Sequence, residues 1–138
     1  MPDINTDSFL NELNKAAAKI GEDYEKFVRK VCWDLFNVIR TRWAFDTRLS
    51  LNNWHIQAGQ PDKTIYPNQP QQQDISSFPF KIEDGAIYIT NNIFYVEFLE
   101  LNPTVGKSSV PNKYHGTIRI ALTEFEDLMR QYAAGATP

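Results

Sequence analysis

The chain has 138 residues, 42% hydrophobic and 22% charged, proportions that fit one globular domain with a core that needs no disulfide or metal staple. Its formal net charge of -3 and pI of about 5.3 argue against a sequence-independent grip on phosphate, which needs clustered Lys and Arg. Cys32 stands alone, so no internal disulfide forms. The N-terminus lacks the basic and apolar segments of a secretory signal, and no apolar run approaches the ~20 residues that cross a bilayer. The expectation is a protein folded in a reducing cytoplasm, with no membrane partner.

From Phe9 the apolar positions run Phe9, Leu13, Ala16, Ile20, Tyr24, Phe27, Val31, Leu35 and Val38, steps of three and four that predict a long helix capped by Asp7 or Ser8. As one straight rod over residues 8–44 it would reach about 55 Å at ~1.5 Å per residue. A domain of this size has a radius of gyration of only roughly 14 Å. Either the helix breaks near Gly21, where glycine weakens it by roughly 1 kcal/mol relative to alanine, or its first turns project onto another subunit. Some projection is the favoured expectation. In the second half Phe27, Val28, Val31, Cys32, Leu35, Phe36, Val38, Ile39 and Trp43 spread over about half the circumference, wider than the stripe a surface helix needs, with Trp33 further round. One reading sandwiches this helix between a sheet and the C-terminal helix, with Cys32 a small core residue. The other makes Trp33, Phe36 and Trp43 aromatic anchors of a subunit interface.

After the helix, Asp46 and Thr47 can fix a chain reversal by bonding nearby amides. Trp54, Ile56 and Ala58 alternate with His55 and Gln57, which predicts a short half-buried strand with His55 on its polar face. Residues 59–77, rich in Pro, Gln, Asp and Asn, read as a long exposed loop with a short extended piece at Ile65 and Tyr66. Tyr66 joins the candidates for a partner contact. Asp84-Gly85 supplies the two positive-φ positions of a type I′ turn, pairing Ile82 with Ile87, Phe80 with Ile89 and Lys81 with Tyr88 in a hairpin. Pro79 makes the outer strand an edge.

Asn91-Asn92 then ends the strand as a turn, and Tyr95 and Leu99 fall four apart on one helix face, so residues 89–100 read as a structural joint. Asn102-Pro103 breaks the chain, and 102–112 is a second polar loop. Tyr114, Ile118, Ala121, Leu122, Phe125, Met129 and Tyr132 mark a C-terminal helix that ends before Gly135. A rival parse makes Thr117–Leu122 a strand and starts the helix at Thr123, with Glu126 closing a capping box. The single helix is preferred, because Tyr114 extends its stripe a turn back. The fold class is therefore α+β: a long N-terminal helix and a C-terminal helix packed on a small, mostly antiparallel sheet, in one domain over 1–138.

Motifs for chemistry are sparse. The chain has no Gly-rich phosphate loop, no metal spacing of His and Cys and no nucleophile motif, so no catalytic, metal or cofactor residue is assigned. His55 on a strand and His115 at a helix start each have a plain structural reading. Glu97 and Glu100, near Glu83 and Asp84, could serve acid/base chemistry, but a spacing of three is ordinary for a solvated helix face.

Residues 46–54, Asp46-Thr47-Arg48-Leu49-Ser50-Leu51-Asn52-Asn53-Trp54, resemble the Asp-Thr-Gly-Arg-x-Arg-x-Asn-Trp segment of the tail completion and head-tail joining proteins of long-tailed bacteriophages. Residues 89–100 are similar to that family's Ile-x-Asn-Asn-x-Pro-Tyr-x-x-x-Leu-Glu, through Asn91, Asn92, Tyr95, Leu99 and Glu100. Pro111 and the closing helix resemble its Ala-Pro-x-Gly-x-Val-Arg tail, while Arg48, Phe94 and Asn102 stand where the family has Gly, Pro and Gly. The resemblance implies a non-enzymatic virion structural protein, made in the host cytoplasm and located in the tail or neck. It implies a homo-oligomeric ring, a hexamer, that touches the tail terminator or tail tube protein and the head connector proteins. DNA would pass through its mildly acidic bore without specific binding. Two other classes stand beside it: a small cytoplasmic adaptor that binds one protein partner through the hairpin edge or the apolar helix face, and a small hydrolase using Glu97, Glu100 or His55.

Overall fold

The computed structural model describes residues 5–21, 23–43, 49–65, 81, 85–93, 96–101 and 116–137. The N-terminal helical pattern forms two helices, α1 (Asp7–Ile20) and α2 (Tyr24–Arg42). Gly21 is the reason: at φ 70 it adopts the left-handed conformation that side chains resist, and its N–H closes α1 on the Ala17 carbonyl. Asp23 then opens α2 by accepting the Lys26 N–H at 3.0 Å. Two helices of 14 and 19 residues replace the single rod, and the projecting arm that its length favoured is not formed. Instead Phe9, Leu13, Ala16 and Ala17 are buried as α1 packs on α4 (Thr117–Ala133) of the same chain. The expected caps of α1 also shift: Thr6 is the N-cap, and Asn5 accepts the Asp7 N–H at 2.9 Å.

α2 runs through the middle of the fold, touching α1, α4 and β1 (His55–Ala58). Its wide apolar arc is spent on these neighbours: Phe27, Val28, Val31, Cys32, Leu35, Phe36 and Ile39 are all buried. Burial pushes the Cys32 thiol up to about 12, as befits a small core residue. Phe36 and Trp43, offered as interface anchors, are instead core residues, fully enclosed by their own chain. Trp33 is half-buried, its ring 5.7 Å from that of Phe36, which Arg40 covers from 5.3 Å.

Beyond α2 a 3-10 turn (Leu51–Asn53) leads into β1, which pairs antiparallel with β2 (Ile87–Thr90). The register sets His55 opposite Thr90, Ile56 opposite Ile89, Gln57 opposite Tyr88 and Ala58 opposite Ile87. Because strand side chains alternate, Ile56, Ala58, Ile87 and Ile89 share the face that packs on the core, and His55, Gln57, Tyr88 and Thr90 share the other. Of the first strand of the hairpin expected across Asp84-Gly85 only Lys81 is among the described residues, and it is not in a strand, while Gly85 has the positive φ, 84°, that such a turn requires. A short α3 (Val96–Leu101) follows, and α4 then forms as one helix, with Thr117–Leu122 helical rather than extended. The class is α+β, with four α-helices and a two-stranded antiparallel sheet among the described residues.

Candidate functional site

Residues far apart in sequence but shared by the two motif stretches meet beside the end of α2. Ser50 is the meeting point: its hydroxyl accepts the Trp43 indole N–H at 3.1 Å, and its carbonyl accepts both the Asn91 side-chain amide at 2.7 Å and the Asn53 N–H at 3.2 Å. Asn53 holds its own turn by donating to the Leu49 carbonyl at 2.8 Å, and the Trp43 and Trp54 rings meet edge to face, 5.1 Å apart. Asn91 uses its other end to accept the Ile93 N–H at 3.1 Å, the short-range bond by which Asn makes a turn. Ile93 then caps the entry to α3 by accepting the Val96 N–H, and both side chains are buried. The joint read from the sequence thus ties the strand, the 3-10 turn and α3 together through one buried asparagine.

The far end of the second stretch fastens α4. A helix start leaves amides without partners, and the N-cap of α4 is Gly116, which has no side chain to offer. Glu100, reaching from α3, supplies the missing acceptor: its two carboxylate oxygens take the Ile118 N–H at 2.9 Å, the Arg119 N–H at 3.3 Å and the Arg119 Nε at 3.1 Å. Arg119 Nη2 donates back to the Glu100 carbonyl at 3.2 Å. An anion at a positive helix end is favourable in itself. Glu100 is only 4% exposed, so the solvated acidic face expected for it is corrected: it is a buried tie between two helices.

His55 departs from its expectation as well. At His55 the polar face of β1 is covered, because Asp62 and Thr64 lie against it and leave the imidazole 1% exposed, while Gln57 is half-buried and Tyr88 exposed further along. Nε2 lies 2.9 Å from the Thr64 carbonyl and Nδ1 lies 4.0 Å from Asp62 Oδ2. Asp62 is the hub of this cover: its carbonyl accepts the Thr90 hydroxyl at 2.8 Å and the Asn92 amide at 3.2 Å, while its Oδ1 accepts the Thr64 N–H at 2.9 Å. Burial alone would raise the Asp62 carboxyl, but the Thr64 hydrogen bonds and the facing His55 hold it below the usual carboxylate range. Over the described residues 59–65 the expected exposed loop is present, with Gly59, Gln60, Lys63, Thr64 and Ile65 exposed, and Asp62 and Thr64 tie it to the sheet.

A shallow groove, open to solvent, runs between α2 and α4. Phe27, Val31 and Met129 form its buried floor, with Phe125, Leu128 and Tyr132 half-exposed and Lys30 and Asp34 on its edge. Of the residues singled out in the sequence, Asn53, Trp54, Asn91, Asn92 and Glu100 enter the networks above. Leu99 lies in α3, and Tyr66, Asp46, Thr47, Tyr95 and Pro111 lie outside the described residues, as does His115. Sequence reasoning missed Ser50, Asp62, Thr64 and Arg119. For Asp62 a signal existed, since Asp two positions before Thr is a turn-forming pattern. Among the described residues no group of three or more His, Cys, Asp or Glu side chains could hold a metal ion, and no helix is long and apolar enough to cross a membrane. No family model, no curated protein and no solved structure matches the chain.

Proposed function

We propose that this chain is a non-enzymatic structural protein of a phage virion, a tail-completion or head-tail joining component that assembles as a homo-oligomeric ring at the head-proximal end of the tail. The observation that carries the reading is the convergence of the residues on which the resemblance rests. Asn53 and Trp54 from one stretch and Asn91 and Glu100 from the other are all buried, and Ser50 links the stretches across 41 positions through the Asn91 amide. Side chains held in this way brace a scaffold; the Glu100 oxygens, each engaged by N–H donors, support a helix. In this reading the partners are further copies of the chain, the tail terminator or tail tube protein, and the head connector proteins, with DNA passing through unbound.

Light scattering across a concentration series, with negative-stain images of any large species, tests the proposal together with binding to purified phage tails that lack their completion protein. Rings of fixed copy number, or saturable binding to such tails, support it. A chain that stays monomeric at every concentration and ignores tails overturns it.

A further inference from the structure

The charge of the chain is unevenly placed. α2 holds five of the fourteen Lys and Arg but only two of the seventeen Asp and Glu, a net charge of +3 that leaves -6 on the rest of the chain. Four of those cations surround Trp33: Lys26 and Lys30 are exposed, Arg29 and Arg40 half-buried. Arg29 stands four positions before Trp33 and Arg40 seven after it, spacings that keep all three on one side of the helix, roughly 16 Å from end to end. Arg42, Arg119 and Arg130 each meet a carboxylate, at 2.6, 3.1 and 2.8 Å, whereas Arg29 and Arg40 meet none among the described residues. Arg40 lies instead over the Phe36 ring, and burial holds its guanidinium below the ordinary arginine value. A partly desolvated cation with no anion beside it is an ion pair with one member missing. Tryptophan and arginine are also the residues that most often anchor protein interfaces.

We infer that this side of α2 receives an acidic surface of a second copy of the chain, with carboxylates on Arg29 and Arg40 and an apolar contact on Trp33. Two α2 helices do not serve each other, because +3 would meet +3. The contact therefore joins unlike faces, and the -6 carried by the rest of the chain supplies the complement. A contact between unlike faces leaves each copy with one face open for the next, so it propagates and ends in a ring when the rotation closes. The inference rests on the ring reading above and names the face by which one copy takes its neighbour.

Sedimentation of the full chain over a hundredfold concentration range, at about 50 mM and about 500 mM salt, tests this. The double variant Arg29→Glu, Arg40→Glu reverses the two unmatched cations, and Lys19→Glu, Lys63→Glu makes the same change in net charge at exposed lysines elsewhere. The parent is expected to associate more weakly at the higher salt. The α2 double variant should associate at least about tenfold more weakly than the parent, with its circular dichroism unchanged, and the control should stay within about threefold. Association undiminished in the α2 variant, or equally diminished in the control, overturns the face and leaves the ring reading standing. A parent that is monomeric at every concentration also overturns the inference, and binding to purified tails then decides the ring reading separately. A single-stranded oligonucleotide that the parent binds and the α2 variant releases assigns the face to phosphate and overturns the second copy as its occupant.

Discussion

Asn91 is held by two neighbours of opposite kind, and that fixes which end of its amide is which. Its NH2 must face the Ser50 carbonyl and its oxygen must face the Ile93 N–H, so no ionised carboxylate or apolar side chain of its size satisfies both. Removing the side chain leaves the Ile93 amide buried without an acceptor, while Ser50 keeps the Asn53 N–H. Asn91→Ala is expected to cost about 2 kcal/mol. Asn91→Asp is isosteric yet worse at neutral pH, because a carboxylate oxygen replaces a donor 2.7 Å from a carbonyl. It should lose about 1 kcal/mol more than the alanine variant and recover part of the deficit when acid protonates the new carboxyl and restores a donor. Urea unfolding midpoints at neutral and acidic pH order the three proteins. An Asn91→Asp variant as stable as the parent at pH 7 would remove the buried-joint account of the motif.

At the level of elements, the entry to α4 depends on one glycine and one arginine acting together. Gly116 has φ +73, and a Cβ there would meet Arg119 Nη2 at 2.6 Å and Nε at 2.9 Å. Gly116→Ala therefore imposes left-handed strain of roughly 1–2 kcal/mol and also pushes Arg119 off Glu100. In an Arg119→Ala background the second effect has nothing left to remove. The double variant should be more stable than the sum of the single losses predicts by about 0.5–1 kcal/mol, a modest term because the Arg119 side chain is half-exposed. Strict additivity in a double-mutant cycle would separate the glycine from the tie. The same elements show what could be read from the sequence. Steps of three and four mark the buried faces of α1 and of α4 from Ile118 on, whereas the start expected at Tyr114 moves to Thr117 because Gly116 is left-handed; the break at Gly21 is one of two options, because periodicity shows that a face is buried without showing against what. Phe36 and Trp43 were ambiguous for that reason: an over-wide apolar arc fits a central helix as well as an interface. Glu100 was misread because its acceptor role is created by a glycine cap 16 positions later, which no local spacing reports. His55 was misread because alternation describes a strand, and the cover over it comes from another segment.

For the whole molecule, the question the helix length raised is where α1 belongs. It packs on α4 of its own chain and buries Leu13 almost completely, so its energy is part of the stability of a single copy. Had α1 been an arm lying on a neighbour, Leu13 would stabilise the assembly alone, and its loss would shrink on dilution as copies separate. An intramolecular helix behaves otherwise. Leu13→Ala deletes buried methyl groups and leaves a cavity between two helices, a loss of about 3 kcal/mol. That loss should be the same at every protein concentration, whether or not a ring forms through other surfaces, because both proteins would share those surfaces. Unfolding curves of the parent and the variant, followed by tryptophan fluorescence over a hundredfold dilution, measure the difference directly. A difference that fades toward zero in the dilute samples would move α1 onto a neighbouring subunit and restore the projecting arm. A constant difference assigns α1 to the core of one copy.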